Sequence, residues 1–123
     1  MKEFNMKSIA TLASVVVLLG ITTFVVADPV GGPSGGVIRV EARGVNVHKV
    51  LYRGGEQADF AIVGDGDTTL NIVVRDANGN EITRTSGPGD RCRATWRPNQ
   101  TGYFYISVIN EGNVYNRYNY KAY

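Results

Sequence analysis

Residues 91–108 read RCRATWRPNQTGYFYISV. In the first run Cys92, Ala94 and Trp96 alternate with Arg91, Arg93, Thr95 and Arg97. In the second, Phe104, Ile106 and Val108 alternate with Tyr103, Tyr105 and Ser107. Successive side chains of a strand point to opposite faces, so a period of two predicts one buried and one outer face. Pro98 to Gly102, between the runs, is turn chemistry. The pair therefore predicts two strands joined by a turn, with Cys92 and Trp96 turned inward.

The same period extends towards the N-terminus. Leu70, Ile72 and Val74 alternate with Thr69, Asn71 and Arg75, and Ala58, Phe60 and Ile62 alternate with Gln57 and Asp59. Val37–Ala42 and Val45–Tyr52 are weaker runs of the same kind. Turn-forming clusters separate them: Gly54-Gly55, Gly64-Asp65-Gly66-Asp67, Asp76-Ala77-Asn78-Gly79, Gly87-Pro88-Gly89-Asp90 and Glu111-Gly112-Asn113. Asn-Gly supplies the positive φ that a tight hairpin needs. Short strands punctuated at this spacing predict an all-β, antiparallel β-sandwich of about seven or eight strands. No stretch after residue 36 is both long and helix-periodic.

The N-terminal end differs. Lys2 and Lys7 precede Ser8 to Ala27, a run without charge that ends Val25-Val26-Ala27. A basic start, an apolar middle and small residues at the end are the order of a secretory signal peptide, expected over 1–27. An uncharged run of this length also reaches the span of a bilayer. Its interruption by Gly20, Thr22 and Thr23 favours the cleaved leader, which leaves no stable membrane insertion. Asp28 to Gly36, DPVGGPSGG, reads as a Gly/Pro-rich linker, and 37–123 as the folded domain.

Removing 27 of 123 residues leaves 96, and the net charge falls from +2 to +1. So weak a charge excludes a strongly basic nucleic-acid binder. One Cys excludes an intramolecular disulfide and a Cys-rich zinc site, and one His excludes multi-histidine metal sites. No Gly-x-Ser-x-Gly elbow is present. His48 is expected at an exposed or edge position and Cys92 in the core, so neither suggests catalysis. The expectation is a non-enzymatic, exported module: secreted, periplasmic or at the cell surface.

Gly64-Asp65-Gly66-Asp67-Thr68-Thr69-Leu70-Asn71-Ile72-Val73-Val74-Arg75-Asp76, followed by Asn78-Gly79, resembles the first signature of bacterial pre-peptidase C-terminal domains. Asp90, Cys92, Trp96, Pro98, Thr101-Gly102, Phe104, Ile106, Val108 and Asn110 are similar to its second half. The family includes the collagen-binding domains of secreted collagenases. The resemblance implies a jelly-roll-like sandwich that often binds calcium. Such domains trail a peptidase, whereas this sequence reads as a stand-alone module. It also carries Thr69-Leu70-Asn71 where the family has Asp-Leu-Asp, two carboxylates fewer.

Two sets of residues are candidates for function. Asp65, Asp67 and Asp76 lie in oxygen-rich turns. They cap those turns through their own backbone, or they hold calcium, which takes six to eight oxygens. Asp76-x-Asn78-x-Asn80 is not an EF-hand, because Glu81 stands where that loop needs Gly. The second set is Tyr103, Tyr105, Arg91, Arg93 and Arg97, all on outer faces of their strands. Tyr suits any half-buried pleat. Tyr with Arg also suits an extracellular protein or polysaccharide ligand, through ring stacking and charge-assisted hydrogen bonds. A structural role by self-association, through strand edges or the Tyr-rich C-terminal strand, is the alternative.

Overall fold

The structure, a computed structural model, describes residues 22–27, 34–86 and 89–123. It contains nine strands: β1 (Thr22–Ala27), β2 (Ser34–Val40), β3 (Val45–Tyr52), β4 (Ala58–Val63), β5 (Leu70–Asp76), β6 (Glu81–Ser86), β7 (Arg91–Trp96), β8 (Gly102–Asn110) and β9 (Asn116–Ala122). They form two sheets, ordered β1-β3-β8-β5-β6 and β2-β9-β4-β7. We call these sheet A and sheet B. The eight strands β2 to β9 pair antiparallel throughout, giving the two-sheet sandwich that alternation predicts.

The inner faces are the expected ones. Val50 and Tyr52 of β3, Leu70, Ile72 and Val74 of β5, and Phe104, Ile106 and Val108 of β8 meet Ala58, Phe60 and Ile62 of β4, Cys92, Ala94 and Trp96 of β7, and Tyr118 and Ala122 of β9. Tyr52, Trp96 and Phe104 pack edge to face or tilted at one end of this core, with centroids 4.9 to 6.1 Å apart. Such geometry contributes about 0.5–1.5 kcal/mol per pair beyond the area buried. The Tyr52 hydroxyl donates to the Asp59 carbonyl at 2.8 Å, so its polar end is satisfied.

Three features depart from the sequence reading. Residues 1–21 of the expected leader lie outside the described residues, but Thr22–Ala27 is a strand, paired parallel with β3 from Thr22↔Val45 to Ala27↔Val50. Its uncharged, β-branched sequence suits a strand as well as it suits an export signal. The expected linker is shorter at its far end: residues 28–33 are not described, yet Ser34, Gly35 and Gly36 already pair with Ala122, Lys121 and Tyr120. Gly35 is there for close approach, since a Cβ would sit 2.5 Å from the Tyr120 carbonyl oxygen. Finally, β6 has no apolar alternation. It is exposed along most of its length and joins β5 with a register shift at Val74/Arg75.

Candidate functional site

Strand β8 runs through the middle of sheet A and carries Tyr103 and Tyr105 on the face turned away from sheet B. Its register sets Leu51 opposite Tyr103 and Lys49 opposite Tyr105 on one side, with Arg75 opposite Tyr105 on the other. Tyr103 is 42% exposed. The Lys49 ammonium lies 4.5 Å from its ring centroid, a cation–π contact that holds the ring against the sheet. Tyr105 is half-buried and packs with Ile109 against Val45 and Val47, which are themselves buried on this outer face. The surface is thus an apolar band along β3 and β8, bordered by an exposed ring and two cations. Lys49 and Leu51 were not singled out in the sequence. Alternation with Val50 and Tyr52 in β3 is the signal that could have placed them outward.

The arginines lie elsewhere. Strand β7 is the edge of sheet B, so the outer faces bearing Tyr103 and Arg93 are on opposite sides of the sandwich. The two sets do not form one surface, because β7 and β8 are consecutive in sequence but belong to different sheets. Arg93 is also engaged by its own sheet. Its Nε donates to Asp59 Oδ1 at 2.8 Å and Oδ2 at 3.0 Å, and its Nη2 also reaches Oδ2. Arg97 donates to the Gly55 carbonyl. Arg91 is exposed at the far end of the strand.

The three candidate carboxylates are likewise separated. Asp65 and Asp67 lie in the β4–β5 loop, before Leu70, whereas Asp76 ends β5. A strand of seven residues spans about 20 Å. Asp76 caps its own turn: Oδ1 accepts from the amides of Asn78 and Asn80, and Oδ2 from the Asn80 side chain. Gly79 takes φ 86° there, as Asn-Gly predicts. Asp65 accepts from the Asp67 and Arg117 amides at 3.0 Å each. Among the described residues no three His, Cys, Asp or Glu side chains are grouped to hold a metal ion. The structure does not bring Asp65, Asp67 and Asp76 together at one point.

A buried acid does lie nearby. Asp90, 8% exposed, accepts from the Gly66 amide at 2.7 Å and from Asn116 Nδ2 at 2.9 Å. Asn116, fully buried, returns its Oδ1 to the Asp65 amide. These bonds fasten the β4–β5 loop to the start of β9.

The expectation of an exposed or edge position for His48 is corrected. His48 is fully buried, because even-numbered residues of β3 face inward. Its Nε2 lies 2.7 Å from the Tyr118 hydroxyl, which also accepts from Asn46 Nδ2 at 3.0 Å. The hydroxyl then has its own proton to give, and a neutral ring accepts it at Nε2. Its Nδ1 has no hydrogen-bond partner, and the imidazole packs against the rings of Phe60 and Tyr120, with centroids 4.9 and 4.6 Å apart. Burial lowers its pKa to about 3. Cys92 is buried, as alternation predicts, and its thiol donates to the Leu70 carbonyl at 3.1 Å. Burial raises its pKa, the reverse of what a nucleophilic thiolate needs. His48 on β3 and Cys92 on β7 belong to different sheets and share no hydrogen bond among those formed by either.

No protein-family model matches this chain, and no curated protein matches it. Solved structures do share its fold. One is the pre-peptidase C-terminal domain of a Bacillus anthracis collagenase, at TM-score 0.55 and 11% identity over 83% of this chain and 94% of that one. A second is PliG from Aeromonas hydrophila, a periplasmic inhibitor of g-type lysozyme, at 0.60 and 15% over 83% and 96%. A third is a mitogen derived from Yersinia pseudotuberculosis, at 0.52 and 12% over 73% and 83%. At these identities the likeness is one of fold. It bears out the sandwich architecture expected from the resemblance to pre-peptidase C-terminal domains.

Proposed function

We propose that this chain is an exported, non-catalytic binding module that engages an extracellular protein or surface glycan with the outer face of sheet A. The observation that carries this reading is Tyr103, a large exposed ring set on the outer face of sheet A and backed by Lys49. A tyrosine fixed in this way loses little conformational freedom on binding and offers both an apolar face and a hydroxyl. Leu51 and Tyr105 extend the patch, and Lys49 and Arg75 supply cations for carboxylate or sulfate groups. The likeness in fold to a collagenase accessory domain and to a periplasmic inhibitor of lysozyme supports a binding role. So does the absence of any pairing of His48 with Cys92.

The test is a pull-down of the exported protein against collagen and polysaccharide panels. A Tyr103→Ala/Lys49→Ala variant should lose at least about tenfold in affinity for the ligand found, as central aromatic contacts do. An Arg91→Ala/Arg97→Ala variant, altered on the opposite face, should bind as the parent does. The reverse pattern would move the site to sheet B. Equal binding by all three would remove both surfaces.

A further inference from the structure

The edges of the two sheets are not alike. An edge strand offers unpaired amides and carbonyls to any other strand, and stable proteins blunt such edges with charge, bulges or glycine-rich irregularity. Strand β6 is blunted by Glu81 and Arg84 and by its register shift against β5. Strand β7 carries Arg91 and Arg93 on its outer face, and β2 opens Ser34-Gly35-Gly36 and carries Arg39. Strand β3 has only one of these devices, a single lysine. It runs VNVHKVLY with one charge, Lys49, and Val45, Asn46, Val47, His48, Val50 and Tyr52 are buried. It is built as an interior strand, and over residues 45–50 it is one here because β1 covers it.

That cover is the last part of the expected leader. Cleavage after Ala27 would remove β1 entire, since β1 ends at Ala27. Six residues of β3 would then lose their neighbour together. We propose that in the exported chain this vacated edge pairs with the same edge of a second copy, antiparallel about a two-fold axis. The strand is self-complementary in that arrangement. With the axis at Val47, Val47 faces Val47 of the second copy, Asn46 faces His48, and Lys49 faces Val45. No like charges oppose, and β-branched residues meet across the join, a favoured cross-strand pairing. Sheet A then runs on from one copy to the other. The proposal does not depend on the Tyr103 surface, which lies on the face of the sheet and not its edge.

The experiment uses the full chain expressed with its own N-terminus in an exporting bacterium, and the product recovered after export. Intact mass should show Asp28 as the first residue. Light scattering on a sizing column should give twice the mass of the 96-residue product (123 less 27). Val47→Lys places two ammoniums against each other at the axis and should weaken association at least about tenfold. Thr83→Lys, on the edge of β6, should leave the dimer intact. If Val47→Lys does not fold, a peptide of residues 22–27 flanked by lysines takes its place. Added to the parent dimer, it should refill the edge and yield monomers. A product that retains residues 22–27, an exported product that is monomeric at every concentration, or a dimer that persists through both Val47→Lys and the peptide would each overturn the proposal. Loss of dimer with ligand binding retained would separate this outcome from failure of the Tyr103 surface.

Discussion

His48 is neutral in the folded core and ordinary once the chain unfolds. Burial holds its pKa at about 3 against 6.5 for an exposed imidazole. Between those values the unfolded chain binds more protons than the folded one, so stability falls as pH falls. It is complete above pH 6.5 and declines by about 1.4 kcal/mol per unit below it. Between pH 6.5 and 5, before most carboxylates titrate, the loss should reach about 2 kcal/mol. Urea unfolding at several pH values measures it, and His48→Phe should flatten the slope over that window. A slope unchanged by the substitution would mean that His48 does not titrate on unfolding. A second residue-scale prediction concerns Asn116. Its side chain serves Asp65, Thr68 and Asp90 at once. Asn116→Ala would take one of two donors from the buried Asp90 carboxylate, leaving the Gly66 amide, and should cost about 1–3 kcal/mol in the same assay. Neither role was legible in the sequence. A lone His among valines and an Asn before a Tyr-rich run are each compatible with a surface, and only the packing of β3 in sheet A against β9 in sheet B brings His48 to Tyr118.

Strands were legible where one face is buried and the other wet. Strands β4, β5, β7 and β8 alternate cleanly, and each inward residue named from that alternation lies in the core. Strand β6 was illegible because neither of its faces is core, so Glu81 to Ser86 shows no apolar period. Strand β3 looked weak for the opposite reason. Both faces are largely buried, and Asn46 and His48 occupy inward positions that the pattern reserves for apolar residues. The start of β2 was hidden by composition, since Ser34-Gly35-Gly36 reads as tether. These glycines are demanded by packing: Gly35 lies against the Tyr120 carbonyl and Gly36 beneath the Tyr120 ring, 3.4 Å from where a Cβ would stand. Gly35→Ala should therefore push β2 from β9 and destabilise the domain by about 1–3 kcal/mol. A true tether would gain stability from the same change, by losing freedom in the unfolded chain. The sign of the shift in urea midpoint decides between the two.

At the scale of the molecule, sheet membership decided which candidate residues could act together. Tyr103 and Arg93 are ten positions apart in sequence but on opposite outer faces, because the chain crosses from sheet B to sheet A between β7 and β8. The C-terminal strand, whose tyrosines suggested an assembly edge, is interior: β9 lies between β2 and β4 and places Tyr118 in the core. It cannot offer its backbone to another chain without unfolding sheet B. The carboxylates divide in the same way. Asp65 and Asp67 sit at the end of the sandwich where β5 begins, and Asp76 at the end where it finishes. Calcium requires six to eight oxygens around one point. Asp76 spends both of its oxygens on its own turn, and Asp65 spends both on the Asp67 and Arg117 amides. Both carboxylates are thus already hydrogen-bonded within the fold. The thermal midpoint of the protein should accordingly be the same in calcium and in excess EDTA. A ligand present at 100 times its Kd would add about 2.7 kcal/mol. In a domain of about 100 residues each 1 kcal/mol moves the midpoint by about 4–8 °C. A rise of 10 °C or more in calcium would therefore show that the loops rearrange to gather ligands this structure keeps apart.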